Sequence, residues 1–424
     1  MNEFSDLASE DARPRLALKY KGFQRLFSGQ LIGLIGDQLF PIAMVGVLAS
    51  RSNLPFSLGV VFGARFLGLS LLIIFSGVIA DRLSRVQLLV ASDAMRAAAV
   101  LGLLIAGLDA PVWTLALLTF AMGAGEAVFQ PAYDAFIPDL VDGVALLSAN
   151  ATTNVLRSVG QFVGPALGAV IVTELGPTTA LTIDAATFVV SSVAVLLAGR
   201  HVIARPPDQE VPQRSSMIKE ALEGLQIVLK LRWLGLLQLM SLVHVLFAVG
   251  PWMVLLPVIA SEGGSGLYGY GSALSAFALG GLLGAPLASR ISDRLRQPGL
   301  VAVSAISLFS LACFALATAI PWPAVLVMCA VAGAGTQFFD VVIQTAIQRQ
   351  VPSSHLGRVF SIDFFASFAA MPAGQFLAGI LVATVSQARV AMAVSGVVVV
   401  GTCVAVLLSP AARRLSPQES AAYL

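Results

Sequence analysis

Apolar residues in this chain fall into long, nearly unbroken runs rather than into an alternating or heptad pattern. Read against the Gly, Pro and charge breaks, the runs predict twelve spans. They cover 23–49, 56–79, 86–107, 112–136, 152–174 and 178–199, then 233–259, 267–288, 299–319, 322–347, 359–384 and 388–409. Each holds about 20 residues or more, enough for an α-helix to cross a bilayer core of roughly 30 Å. A polar stretch, 200–232, separates the first six spans from the last six. It contains Arg205-Pro206-Pro207-Asp208. Its second part, Met217 to Lys230, has helical periodicity with Lys219, Glu220, Glu223 and Lys230 on a polar side, which predicts an amphipathic helix lying at the membrane surface. The expected organisation is a six-helix bundle over 1–199, a cytoplasmic linker over 200–232 and a second six-helix bundle over 233–424. The polar N-terminus, residues 1–21, lacks the apolar core of a cleavable signal peptide.

Composition agrees with this picture. Hydrophobic residues make up 57% of the 424 and charged residues 11%. A soluble domain averages about 25% charged residues, so this chain cannot cover a water-facing surface of its own size. The expected fold class is all-α integral membrane, with twelve transmembrane helices in two pseudo-symmetric bundles. Most soluble enzymes are excluded. The net charge is +2 and there is no basic patch suited to nucleic acid. Cys313, Cys329 and Cys403 all sit in apolar runs without metal-ligand spacing, and read as packing residues. No P-loop is present, so direct use of ATP is not expected, and no metal or cofactor is implied. With the N-terminus inside, 20 of the 25 Lys and Arg fall in cytoplasmic segments or at their edges. The positive-inside rule therefore places both termini in the cytoplasm of a multi-pass cell-membrane protein.

The halves repeat. Gly123-Ala124-Gly125 with Phe129 recurs as Gly333-Ala334-Gly335 with Phe339, Asp81-Arg82-Leu83 recurs as Asp293-Arg294-Leu295, and Pro165 has a counterpart in Pro372. The offsets, 210, 212 and 207, are close to half the chain. Two related membrane halves are the architecture of an alternating-access transporter, with its site near the midplane.

Specific motifs then point to a family. Gly77-Val-Ile-Ala-Asp81-Arg82-Leu-Ser-Arg85 follows span two. It resembles the cytoplasmic signature of the major facilitator superfamily, although Ser84 stands where that family usually has Gly and Val86 where it often has Lys. Its Asp and Arg would latch one conformation through charge-assisted bonds. Asp93 and Arg96, three residues apart in span three, are expected to brace that loop. Gly160, Gly164, Pro165 and Gly168 in span five resemble the motif that marks the antiporter branches. Glycines spaced by four give a flat stripe for tight helix packing. The opening Phe23-Gln-Arg25, Gly36-Asp37, Phe129-Gln-Pro131, Ile137-Pro138-Asp139 and Leu356-Gly357-Arg358 resemble the drug:proton antiporters that include macrolide and enterobactin exporters. Bacterial lysophospholipid flippases share the Gly-Asp feature.

Ionisable residues inside spans cost roughly 2.5–3.5 kcal/mol on insertion scales, so each calls for a partner or a function. Asp37 and Arg65 lie at depths that differ by about one helical turn, which suggests an ion pair that either opens on protonation or permanently fixes packing. Glu126, near the middle of span four, is the first proton-coupling candidate and Asp37 the second. A neighbour such as Arg157 is the alternative partner for Glu126. The resemblance implies that spans one, four, seven and ten line the cavity. That makes Gln38, Gln130, His244, Gln337 and Asp340 substrate candidates. Asp184 and Asp363 read as solvated near span ends, and Pro251 and Pro257 as bends in span seven. The expected function is export of a hydrophobic or amphipathic small molecule, driven by the proton gradient and carried out by a monomer in the lipid bilayer. The alternatives are a lysophospholipid flippase of the same fold and a solute uptake symporter. An integral-membrane enzyme is not expected, since no nucleophile elbow or ligand cluster is present.

Overall fold

The structure is a computed structural model that describes residues 16–80, 84–107, 109–203, 217–262 and 264–415. Among the described residues the regular structure is entirely helical. Among them, twelve helices are long and apolar enough to cross a membrane. They are α1 (Lys21–Leu48), α2 (Leu54–Ala80), α3 (Arg85–Ala106), α4 (Val112–Leu140), α5 (Gly143–Leu175), α6 (Pro177–Gly199), α7 (Arg232–Glu262), α8 (Gly266–Ile291), α9 (Pro298–Ala317), α10 (Trp322–Gln350), α11 (Ser353–Phe368 and Met371–Leu381) and α12 (Val385–Leu407). Helix is the form that pairs every backbone group inside its own segment, as hydrocarbon surroundings require. Large apolar side chains such as Ile105 at 87% and Leu381 at 71% exposed belong to faces that only lipid would cover.

Local chemistry sets the ends. Ser84 caps α3 reciprocally: Gln87 N donates to Ser84 Oγ, and Ser84 N donates to Gln87 Oε1. This gives a physical role to the serine that departs from the family signature. Gly107 and Gly176 follow α3 and α5 with φ of 83° and 82°, a region that favours glycine. Helix α5 begins well before the apolar run at 152, because Asp142 caps it by accepting from Ala145 N at 3.0 Å. Within α7 a π-helical turn, Val245–Val249, immediately precedes Gly250-Pro251. Proline supplies no N–H, so a wider turn is a natural accommodation. Pro165 lies inside the uninterrupted α5, whereas Pro372 opens the second piece of α11. The two prolines are aligned in sequence but differ in effect.

Contacts divide the chain into two compact units. One comprises residues 1–50 and 64–210, the other 51–63 and 211–424. The first turns of α2 group with the second unit because a Cβ on Gly59 would stand 2.7 Å from Gln375 O and 2.8 Å from Gly379 Cα.

In the first unit α1 packs on α5 and α6, and α3 packs on α4 and α6. The glycine stripe of α5 lies along α1. Gly160 meets Leu34, Gly164 meets Gln38 and Gly168 meets Ile42, each one turn further on both helices. Gly123 of α4 lies against α2, where a Cβ would stand 1.9 Å from Arg65 O, and Gly125 lies against Ser92 and Arg96 of α3.

The second unit repeats this internal arrangement. Gly333 of α10 lies against Phe277 O of α8, a Cβ there standing 1.9 Å away, and Gly335 lies against Ala305 O of α9. The sequence repeat is therefore a repeat of backbone contacts. The amphipathic helix Met217–Lys230 packs on α11, with Arg358 Nη1 donating to Glu223 Oε2.

Candidate functional site

A cluster of charged side chains occupies the interior of the first unit. Arg65 of α2 faces α4, and its Nη2 and Nε donate to Glu126 Oε2 at 2.9 and 3.2 Å. Arg96 of α3 is 4% exposed and donates from Nη1 to Asp37 Oδ1 of α1 at 3.3 Å and from Nη2 to Asp93 Oδ1. The arginine planes rest on aromatic rings. Arg96 Cζ stands 4.2 Å from the Phe129 centroid and 4.5 Å from that of Phe188, and Arg65 Cζ stands 5.2 Å from Phe40. A guanidinium stays charged at any accessible pH and stacks well on aromatic faces, so it suits this half-apolar setting. Side-chain exposure falls from Glu126 at 37% and Asp37 at 28% to the wholly buried Asp93. The arginine partners of the first two carboxylates cannot leave without losing charge-assisted bonds.

These pairings correct the expected ones. Arg65 bonds Glu126 rather than Asp37, because helix rotation turns it toward α4. Arg96 takes Asp37, so the Asp93–Arg96 pair reaches into the cluster rather than only bracing a loop. Arg157 bonds Asp134 at 2.7 Å rather than Glu126. Asp184 of α6 is not solvated: it is fully buried beside Gly36 of α1.

The remaining residues are distributed as follows. Gln130 is exposed and donates from Nε2 to Asp134 Oδ2 at 3.0 Å, which links it to Arg157. Asp134 was not singled out by the sequence, although its position one turn from Gln130 on one helix face was a signal. Gln38 is half-buried over Gly164. In the second unit His244 is buried, with Nε2 2.7 Å from Thr402 Oγ1 of α12. Gln337 is exposed and packs over Gly281 of α8. Asp340 is half-buried near Asp363, and Asp363 accepts from Gln238 Nε2 of α7 rather than standing free in water. Of the signature loop, Asp81 and Arg82 lie outside the described residues, and Gly77 lies where only the helical backbone is described. Arg85 forms an ion pair with Asp139 at the end of α4. No group of three or more His, Cys, Asp or Glu suited to a metal ion occurs among the described residues.

The family described as transmembrane secretion effector, part of the major facilitator superfamily, matches residues 14–422. Macrolide efflux protein A of Streptococcus pyogenes is 26% identical over 365 residues, covering 84% of this chain and 88% of that protein. Multidrug efflux pump Tap of Mycobacterium tuberculosis is 28% identical over 360 residues, covering 82% and 84%. The solved structure of nucleoside transporter NupG matches with a TM-score of 0.73 at 12% identity, over 92% of this chain and 98% of that one. A bacterial homologue of the iron transporter ferroportin matches at 0.69 and 19%, over 92% and 98%. At such identities the solved structures establish the fold, and the match over nearly the whole chain establishes the family. The chain belongs to the transmembrane secretion effector family of the major facilitator superfamily.

Proposed function

We propose that this protein exports a hydrophobic or amphipathic small molecule, of a drug-, antibiotic- or siderophore-like kind, across the cell membrane in exchange for protons. The observation that carries the reading is the pair of interior arginines, half-buried Arg65 and buried Arg96, each holding a partly exposed carboxylate. Protonation of Glu126 removes the charge that holds Arg65, and protonation of Asp37 weakens the hold on Arg96. Either event frees an interior cation that must find another partner, which links proton binding to helix rearrangement. The efflux activities named for the two bacterial relatives support export. The internal repeat supports alternating access by two related bundles, 1–199 and 233–424, joined by the linker 200–232. The basic residues support cytoplasmic termini. The protein acts as a monomer within the bilayer, without cofactor.

Glu126→Gln tests the coupling. The amide keeps the size and one acceptor of the side chain but carries no titrating proton. With normal membrane expression, efflux driven by a pH gradient is expected to fall to background while unenergised substrate binding persists. Retained gradient-driven efflux in Glu126→Gln would remove Glu126 from the coupling path.

A further inference from the structure

Among the described residues of the first unit, a buried carboxyl group stands outside the pairings above. Asp184, in the second turn of α6, is fully buried, and neither carboxylate oxygen has a hydrogen-bond donor. Its Oδ1 lies where it does because Gly36 has no side chain: a Cβ on Gly36 would stand 2.8 Å from Asp184 Oδ1 and 2.1 Å from Thr187 Oγ1. Gly36 immediately precedes Asp37, and Asp37 lies close enough to act on Asp184 electrostatically. A carboxylate buried without donors costs several kcal/mol as an ion, far more than it does as a neutral acid. The same cluster also contains a donor without an acceptor, since Arg96 Nε is buried and unpaired.

We propose that Asp184 is a second, occluded proton-binding site, which shares one proton with Asp37 and is switched by Arg96. This rests on the proton-exchange reading above and adds where the proton is held. In the arrangement described, Asp184 carries the proton and Arg96 holds ionised Asp37. In the alternative arrangement the proton passes from Asp184 to Asp37, and Arg96 releases Asp37 Oδ1 to donate to Asp184. One O–H bond breaks and one forms, and one ion pair is exchanged for another, so the interior charge is unchanged.

The charged groups close enough to act on Asp184 are Asp37 from α1, Arg65 from α2 and Arg96 from α3. Asp93 and Glu126 act through the arginines they hold. On α5, which also packs on α6, Arg157 is engaged with Asp134 of α4. Two carboxylates and one mobile cation form a bistable set in which proton position and helix contact change together. The contacts at stake are those of α1, α3 and α6, the helices that carry Asp37, Arg96 and Asp184.

The test compares wild type with Asp184→Asn in proteoliposomes. Asparagine is close in shape to the neutral acid, so the variant is expected to fold and to be locked in the Asp184-protonated arrangement. It should lose substrate accumulation against a gradient while retaining substrate-for-substrate exchange across the membrane. Infrared spectra should show a protonated-carboxyl band at neutral pH in wild type that is diminished in Asp184→Asn. Full gradient-driven accumulation in Asp184→Asn, with wild-type proton movement, would overturn the occluded site and leave the exchange reading intact. Wild type that moves substrate without protons would overturn both. Absence of any protonated-carboxyl band in wild type at neutral pH overturns the occluded site even if the variant does not fold.

Discussion

Arg96→Met is expected to leave little folded protein in the membrane. The methionine would keep the contact with Phe129 and Phe188, since a thioether packs well on aromatic faces. What it removes is the charge that faces Asp37 and Asp93, the latter wholly buried. Breaking a buried ion pair by removing one partner costs about 3–5 kcal/mol, because an uncompensated charge is left behind. Total stability of a protein is roughly 5–15 kcal/mol, so one substitution removes a large share of it. Replacing the whole set with apolar side chains is often neutral. The combination Arg96→Met, Asp37→Leu and Asp93→Leu should therefore recover much of the folded yield while remaining inactive in transport. Yield and thermal unfolding in detergent are the readouts. A single variant as stable as wild type would show that Asp37 and Asp93 do not depend on Arg96.

Gly123→Val is expected to destabilise the first unit by a comparable route with no charge involved. A Cβ at Gly123 would stand 1.9 Å from Arg65 O and 2.8 Å from the carbonyl carbon, and both are backbone atoms that cannot swing away. Helices α2 and α4 would have to separate, and with them the Arg65–Glu126 pair that bridges them. A non-glycine residue regains only up to about 1 kcal/mol of helix propensity. Overpacking typically costs 1–3 kcal/mol, and a clash between rigid backbones lies at the high end. Gly333→Val should behave alike in the second unit, where Phe277 O takes the place of Arg65 O at 1.9 Å. Gly401→Val, with open space around it, is the control and should unfold at the wild-type temperature. Equal thermal midpoints for the valine variants at 123 and 401 would contradict the close approach of α2 and α4.

Much of this architecture could be read from the chain. Apolar runs gave twelve spans because hydrocarbon surroundings allow so few backbone solutions. The recurrence of Gly123-Ala-Gly125 as Gly333-Ala-Gly335 anticipated two related bundles, since glycine at those positions is what lets backbones touch. Charged residues inside apolar runs singled out Asp37, Arg65 and Glu126 as interior groups, whereas Asp93 and Arg96 read as a brace for the signature loop. The Asp93–Arg96 pair was legible from its i, i+3 spacing, but the pairs between helices were not. Depth along a helix follows from counting residues, but rotation about the axis does not, and rotation turned Arg65 to Glu126 and Arg96 to Asp37. Asp184 was misplaced for a related reason: it lies in the second turn of its helix, and only the bare backbone of Gly36 opposite shows that the turn is buried. The π-helical turn of α7 was also invisible, although Pro251 marked its neighbourhood.

The central claim, export in exchange for protons, is tested most directly by recording internal pH in proteoliposomes of the wild-type protein. Lipophilic cations, macrolide-like compounds and lysophospholipids would be added in turn, with substrate flux measured in parallel. The account predicts proton movement that begins when a transported drug-like compound is added, runs opposite to it, and is absent from Glu126→Gln. Substrate movement without any proton flux, above all movement of lysophospholipid alone, would contradict it and replace the antiporter with a lipid flippase of the same fold.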